Sequence, residues 1–138
     1  MSRVLLDTDV ILDLVLGREP FVNDAVALWL AHEQRQITAF IAAITPINVF
    51  YIVRKIKGAA IAREAVEILT TALHVCVVDQ QILQSALAVP MTDYEDAVQV
   101  AALAIQLDAI VTRNIKDYAS AAIPVFSPPN FLQQLPTL

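Results

Sequence analysis

The stretch Val4-Leu5-Leu6-Asp7-Thr8-Asp9-Val10-Ile11-Leu12-Asp13 decides how the chain is read. Three apolar residues run into one Asp, a second follows two positions on, and an apolar segment of helical character comes next. An apolar run ending in carboxylates is the pattern of a buried parallel strand whose C-terminal end faces a site. The plainer reading is a strand-to-helix turn in which the acids only cap the helix. On this pattern Asp9 is expected to be the cap, with the helix running from Val10 to Leu16 and Gly17 ending it.

Working outward, Phe21 to Gln34 has helical spacing, with Trp29 on its apolar side, and Ile37 to Ala42 reads as a second strand. Thr45-Pro46 opens a helix to Lys57, with Pro at its first position. Ile61 to Leu73 forms another helix and His74 to Val78 a third strand. Asp79 caps a helix reaching Ala88. Thr92 and Glu95 fit a capping box before an Ala-rich helix from Ala97 to Leu107. Ala109 to Thr112 is a fourth strand, Pro124 to Phe126 a short fifth, and Ser127-Pro128 starts a last helix. Strands separated by helices, without hairpin signals, predict an α/β fold: three layers, α/β/α, with a mainly parallel sheet of four to five strands.

Composition bounds the function. The 138 residues are expected to form a single domain, 1–138, with 57% hydrophobic and 17% charged residues. Mean hydropathy is +0.61, which a sheet buried on both faces accounts for. The uncharged stretch from Gln36 to Val53 is interrupted by Pro46 and Asn48 and falls short of the ~20 apolar residues of a spanning helix. No membrane association is therefore expected. One cysteine, Cys76, in an apolar run, points to a reducing, cytoplasmic setting. A net charge of −5 argues against broad DNA binding over the whole surface. With two glycines in the chain, neither a Walker loop nor a dinucleotide fingerprint is possible. His32, on a polar helix face, and His74, opening a strand, give no support to a triad or a zinc site.

In open parallel sheets, functional groups gather beyond the C-terminal strand ends. That rule collects Asp7 and Asp9 after the first strand, and Thr45 and Asn48 after the second. It adds Asp93 and Asp96 on one face of the Ala-rich helix, then Thr112, Asn114 and Asp117 after the fourth strand. Carboxylates at one edge repel unless a cation neutralises them. Hard oxygen donors suit Mg²⁺ or Mn²⁺, which would support in-line attack of water on a phosphate ester. The plainer readings stand beside these. Asp93 offsets a helix dipole, Asp13 faces solvent or pairs with Arg18, and Thr112 and Asn114 satisfy a turn. Arg54, Lys55 and Lys57 compensate a helix C-terminus.

These motifs, in this order, resemble the PIN domain family, and within it the toxin-nuclease (VapC-type) group. Leu5-Leu6-Asp7-Thr8-Asp9-Val10-Ile11-Leu12-Asp13 resembles the first motif. Asp96-Ala97 with Ala101, Ala102 and Ala104 resembles the third, and Ile110-Val111-Thr112-Arg113-Asn114-Ile115-Lys116-Asp117-Tyr118 the closing one. The resemblance implies a Mg²⁺- or Mn²⁺-dependent ribonuclease in which Asp7 and Asp96 bind metal, with Asp93 or Asp9 in support. Thr112 would hold the closing turn. Asn48 and Asn114 stand where the family carries acids, with Asp117 close enough to substitute, and Arg113 or Lys116 would contact RNA. An antitoxin partner and a homodimer are implied as well. Two alternatives remain open: a PIN-like binding module with weakened catalysis, and a haloacid-dehalogenase-like phosphatase with Asp7 as nucleophile.

Overall fold

The computed structural model describes residues 2–91, 93–101, 107–119 and 121–135. In chain order the elements are β1 (Ser2–Leu6), α1 (Thr8–Leu16), α2 (Val22–Glu33), β2 (Ile37–Ala42), α3 (Ile44–Lys57), α4 (Ala59–Ala72) and β3 (His74–Cys76). There follow α5 (Gln80–Ala86), α6 (Tyr94–Ala101), β4 (Ala109–Val111), a 3₁₀ turn at Ile115–Tyr118, β5 (Val125–Phe126) and α7 (Pro128–Gln133).

All described strand pairs are parallel, in the order β3-β2-β1-β4-β5. The sheet grows outward from β1: Val4 lies opposite Ala39 on one side and Ala109 on the other. Side chains alternate across a strand, and here both faces are covered. Val4 and Leu6 point with Ile37, Ala39, Ile41 and Val111 into the core shared with α1, α2, α3, α4 and α7. Leu5, Phe40, Cys76 and Ile110 point the other way, into a smaller core with Tyr118, Ile82 and Val100. Burial on both faces is why β1 reads as an unbroken apolar run. The layers are thus α/β/α, as expected. The chain leaves β1 toward β2 and β3, then crosses to β4 and β5. The crevice between the ends of β1 and β4 is the switch point where such sheets bind ligands.

Several boundaries differ from expectation. Helix α1 starts at Thr8 because Asp7, not Asp9, is its cap, with an extended backbone and its carboxylate accepting the Thr8 N–H. Helix α3 starts at Ile44, so Pro46 sits inside the first turn, where a missing N–H costs no helical bond. Helix α6 starts at Tyr94, and Asp93 caps it by accepting the Asp96 N–H at 3.1 Å. Thr92, expected to cap, and residues 102–106 of the expected Ala-rich helix lie outside the described residues. Strand β3 stops at Cys76; it is the edge of the sheet, and Val77 beyond it is 68% exposed. Strand β4 ends at Val111, before Thr112.

His32 is not simply on a polar face. Its Nδ1 accepts the Ala39 N–H at 3.1 Å, so Nε2 carries the proton and donates to the Ala72 carbonyl at 2.7 Å. One imidazole thus ties α2 to β2 and to the end of α4. No helix among the described residues is long and apolar enough to cross a membrane.

Candidate active site

Asp7 stands at the end of β1, 5% exposed. Its Oδ1 accepts the Thr8 N–H at 2.7 Å and the Gln99 Nε2–H at 2.8 Å, and its Oδ2 accepts the Thr112 hydroxyl at 2.7 Å. The carboxylate is therefore clamped from its own helix, from α6 and from the end of β4. Gln99, fully buried, extends the clamp: the same Nε2 donates to the Tyr118 hydroxyl at 3.0 Å. Tyr118 in turn donates to Asp96 Oδ1 at 3.1 Å. Asp7 and Asp96 are thus joined through two buried side chains that set their separation.

Burial pushes the Asp96 carboxyl up to about 7, and the charges of Asp7, Asp93 and Asp117 push in the same direction. The Tyr118 hydrogen bond opposes them. Asp9 is raised to about 6, by burial first and by the Asp7 charge second. Burial and the two neighbouring carboxylates also push the Tyr118 phenol far up, so it stays a donor.

Asp9 organises the closing turn. Its Oδ2 accepts the Arg113 N–H at 3.1 Å and the Asn114 side-chain amide at 3.2 Å, while its Oδ1 is buried without a partner among the described residues. Thr112 Oγ1 accepts the Asn114 N–H at 3.0 Å while donating to Asp7, so this hydroxyl links the turn to the end of β1. Asn114 therefore donates an amide N–H to Asp9 where an acid would have added charge. Asn48, half-buried, lies one turn beyond Thr45 on α3 and makes no side-chain hydrogen bond to a described residue. Asp117 and Lys116 are exposed on the 3₁₀ turn.

Two expectations change. Asp13 is no surface acid: it is 1% exposed and gripped by Arg113, Nε to Oδ2 at 2.7 Å and Nη2 to Oδ1 at 3.1 Å, with Arg18 more distant at 3.9 Å. Arg113 is accordingly committed to Asp13, with its guanidinium 3.8 Å over the Phe21 ring, and is not free to reach a backbone phosphate.

Gln99, Tyr118, Thr8 and Glu95 have no site role in the sequence reading. Thr8 donates its hydroxyl to Glu95 Oε1 at 3.2 Å, so the 3.0 Å contact with Thr45 is donated by Thr45. Glu95 thus reaches toward α1. The signal for Gln99 was present: a lone amide among Ala97, Val98 and Val100, three residues after Asp96 and hence on its face.

Among the described residues no three His, Cys, Asp or Glu side chains form a ready-made metal cage. Mg²⁺ does not require one, since it keeps several waters and takes one or two carboxylates. The donor set of Asp7 and Asp96 is all oxygen, and the unpartnered Asp9 Oδ1 and the crowded charge around Asp96 fit a nearby hard cation.

Gln99→Leu is expected to destabilise the protein by about 1–3 kcal/mol, because Asp7 and Tyr118 each lose a buried partner. Urea unfolding in EDTA reads this; an unchanged midpoint would show that the clamp carries no load.

Among the described residues the sheet is all-parallel, with helices on both faces and carboxylates gathered at its switch point. The chain belongs to the PIN domain family, whose model matches residues 3–116. Solved structures with the same fold include the toxin–antitoxin complex from Klebsiella pneumoniae (26% identity, TM-score 0.65, 91% of this chain and 97% of that one covered). The Mycobacterium tuberculosis toxin VapC20, described as cleaving the sarcin–ricin loop, is similar over 87% of this chain and 95% of its own (16% identity, TM-score 0.69). DNA-bound VapBC from Salmonella typhimurium is similar over 93% and 99% (17% identity, TM-score 0.70). A comparison with curated proteins finds no match. Family membership displaces the dehalogenase-like alternative, which also lacks its expected Lys and acidic pair at the end of β4.

Proposed function

We propose that this protein is a Mg²⁺- or Mn²⁺-dependent endoribonuclease, acting in the cytoplasm as the toxin of a toxin–antitoxin pair. The observation that carries the reading is the Asp7–Gln99–Tyr118–Asp96 clamp. It holds two carboxylates at the sheet's switch point against their mutual repulsion, an arrangement that costs stability unless a cation is used there. Asp7 and Asp96 would hold the metal. Bound there, it would make water a nucleophile near neutral pH and stabilise the charge that builds on the phosphate.

The chain's other residues position and tune. Thr112 and Asp9 fix the turn after β4, Asp93 and Asp117 add negative charge beside Asp96, and Asn48 and Asn114 bring amides to the same edge. Lys116, exposed and without an ion pair among the described residues, would meet the RNA backbone. The antitoxin partner rests on similarity to toxin–antitoxin complexes. A homodimer is supported by Ile47 and Tyr51, both more than half exposed on α3.

The test is cleavage of single-stranded RNA by the pure protein with Mn²⁺, with EDTA, and by Asp96→Asn. Metal-dependent cleavage lost in the variant supports the reading; cleavage in EDTA, or equal cleavage by Asp96→Asn, overturns it. The neutral Asn48 and Asn114 favour a second reading, a binding module with weakened catalysis. Calorimetry with no Mn²⁺ uptake at millimolar metal would select that one.

A pH dependence follows. Asp9 and Asp96 have folded values of about 6 and about 7 against 3.8 ordinarily. Between these limits the folded chain holds more protons than the unfolded one, so stability falls as pH rises from about 4 to about 7. Screening at the half-exposed Asp96 tempers the effect. In EDTA the melting temperature is expected to be roughly 3–6 °C higher at pH 5 than at pH 8. The slope should shrink in Asp96→Asn, and Mn²⁺ should restore stability at pH 8. A melting temperature that rises from pH 5 to pH 8 in EDTA would contradict the carboxylate repulsion.

A further inference from the structure

Lined in part by Arg113, a groove of about 600 Å³ opens between the start of α2 and the start of α7. Pro20, Pro128 and Pro129 form rigid walls, and Phe21 is 40% exposed. Arg113 connects the groove to the carboxylates: its backbone N–H is held by Asp9 while its guanidinium lies on the Phe21 ring. The groove is thus one residue's reach from the candidate site.

Its chemistry suits a flat ring and not a phosphate. The one cation lining it, Arg113, spends Nε and Nη2 on Asp13, and the remaining charged wall is Asp24. An anion would meet a carboxylate there. An exposed aromatic ring, backed by a guanidinium and flanked by prolines, offers a stacking platform of the kind used for unpaired bases. The Asp24 carboxylate oxygens accept hydrogen bonds and match an exocyclic amino group, which adenine, cytosine and guanine carry and uracil lacks. The volume is of the size that takes one small ligand.

We propose that this groove seats one nucleobase of the RNA strand beside the scissile phosphodiester, stacked on Phe21 with an amino group directed to Asp24. The proposal rests on the ribonuclease reading above and assigns that enzyme a base-selecting subsite.

The experiment measures binding apart from cutting. In the Asp96→Asn background, affinities for short fluorescein-labelled homopolymers of adenylate, cytidylate and uridylate are measured by anisotropy. The parent is expected to favour adenylate and cytidylate over uridylate. Adding Phe21→Ala should weaken binding about tenfold, Phe21→Trp should keep it, and Asp24→Ala, which removes the acceptor, should erase the preference. If Phe21→Ala, shown folded by its melting curve, binds like the parent, the subsite is overturned while the nuclease stands. Should Phe21→Ala melt below the assay temperature, Asp24→Ala decides, and an unaltered order of preference overturns the proposal. If the parent binds no RNA and the wild type cuts none, the ribonuclease reading falls and the subsite with it.

Discussion

Asp7→Asn is expected to lower RNA cleavage by at least about a thousandfold, which is roughly 4 kcal/mol of lost transition-state stabilisation, while leaving the fold nearly intact. The charge is what a metal needs, and an amide removes it. The hydrogen bonds largely survive. An amide oxygen in the place of Oδ1 still accepts from Thr8 and Gln99. The new NH₂ can donate to Thr112 Oγ1, whose own proton turns to Asp9 Oδ2, 3.5 Å away. Folding should therefore change by about 1 kcal/mol or less, and relief of the repulsion on Asp96 works in its favour. Cleavage rates, Mn²⁺ calorimetry and a melting curve on the same sample separate the two effects. An Asp7→Asn protein that is folded and cuts at the wild-type rate would remove Asp7 from the chemistry.

Arg113→Ala is expected to cost about 3–5 kcal/mol of stability, a fall of roughly 10–15 °C in melting temperature. Asp13 is almost fully buried and takes two short bonds from Arg113. Removing the guanidinium strands that charge, with Arg18 at 3.9 Å as the nearest remaining cation. The Phe21 ring also loses the cation stacked on it. Adding Asp13→Asn to Arg113→Ala should recover a large part of the loss, because the uncompensated charge is gone. Urea unfolding of the two single variants and the double variant measures the coupling. A cost below about 1 kcal/mol for Arg113→Ala would mean that the pair is solvated and contributes little.

These two variants probe different layers of one neighbourhood, and they explain why part of it was legible in the sequence. Val4-Leu5-Leu6 reads as a strand because burial on both faces demands an unbroken apolar run. Asp7 and Asp96 stood out because both fall beyond the C-terminal strand ends, where functional groups of a parallel sheet gather, and Asp9 was expected to do the capping. Asp9 and Asp13 were misread for a physical reason. A cap is a local interaction and can be guessed from spacing, as can the Arg18 contact of Asp13, whereas the hydrogen bonds that Asp9 and Asp13 accept from Arg113 come from more than ninety positions away, beyond β4. Arg113 looked free for RNA because its partner Asp13 is distant in sequence and adjacent only after β1 and β4 pair. Gln99 and Tyr118 were passed over because neither is ionised near neutral pH; their importance lies in what they bridge.

The sequence by itself determined the alternation of strand and helix, the double burial of β1 and the gathering of acids at one edge. Hydrophobic periodicity and chain order carry that information locally. Tertiary structure alone decided that Asp7 both caps α1 and is held from α6 and the end of β4, that Asp9 braces the closing turn, and that Asp13 is sealed into an ion pair. Asp7, Asp9 and Asp13 lie within seven residues of one another on the same opening stretch. What separates them is the set of donors that β4, α6 and the 3₁₀ turn bring to each, and hydrogen-bond partners at long sequence separation are fixed only when the sheet closes.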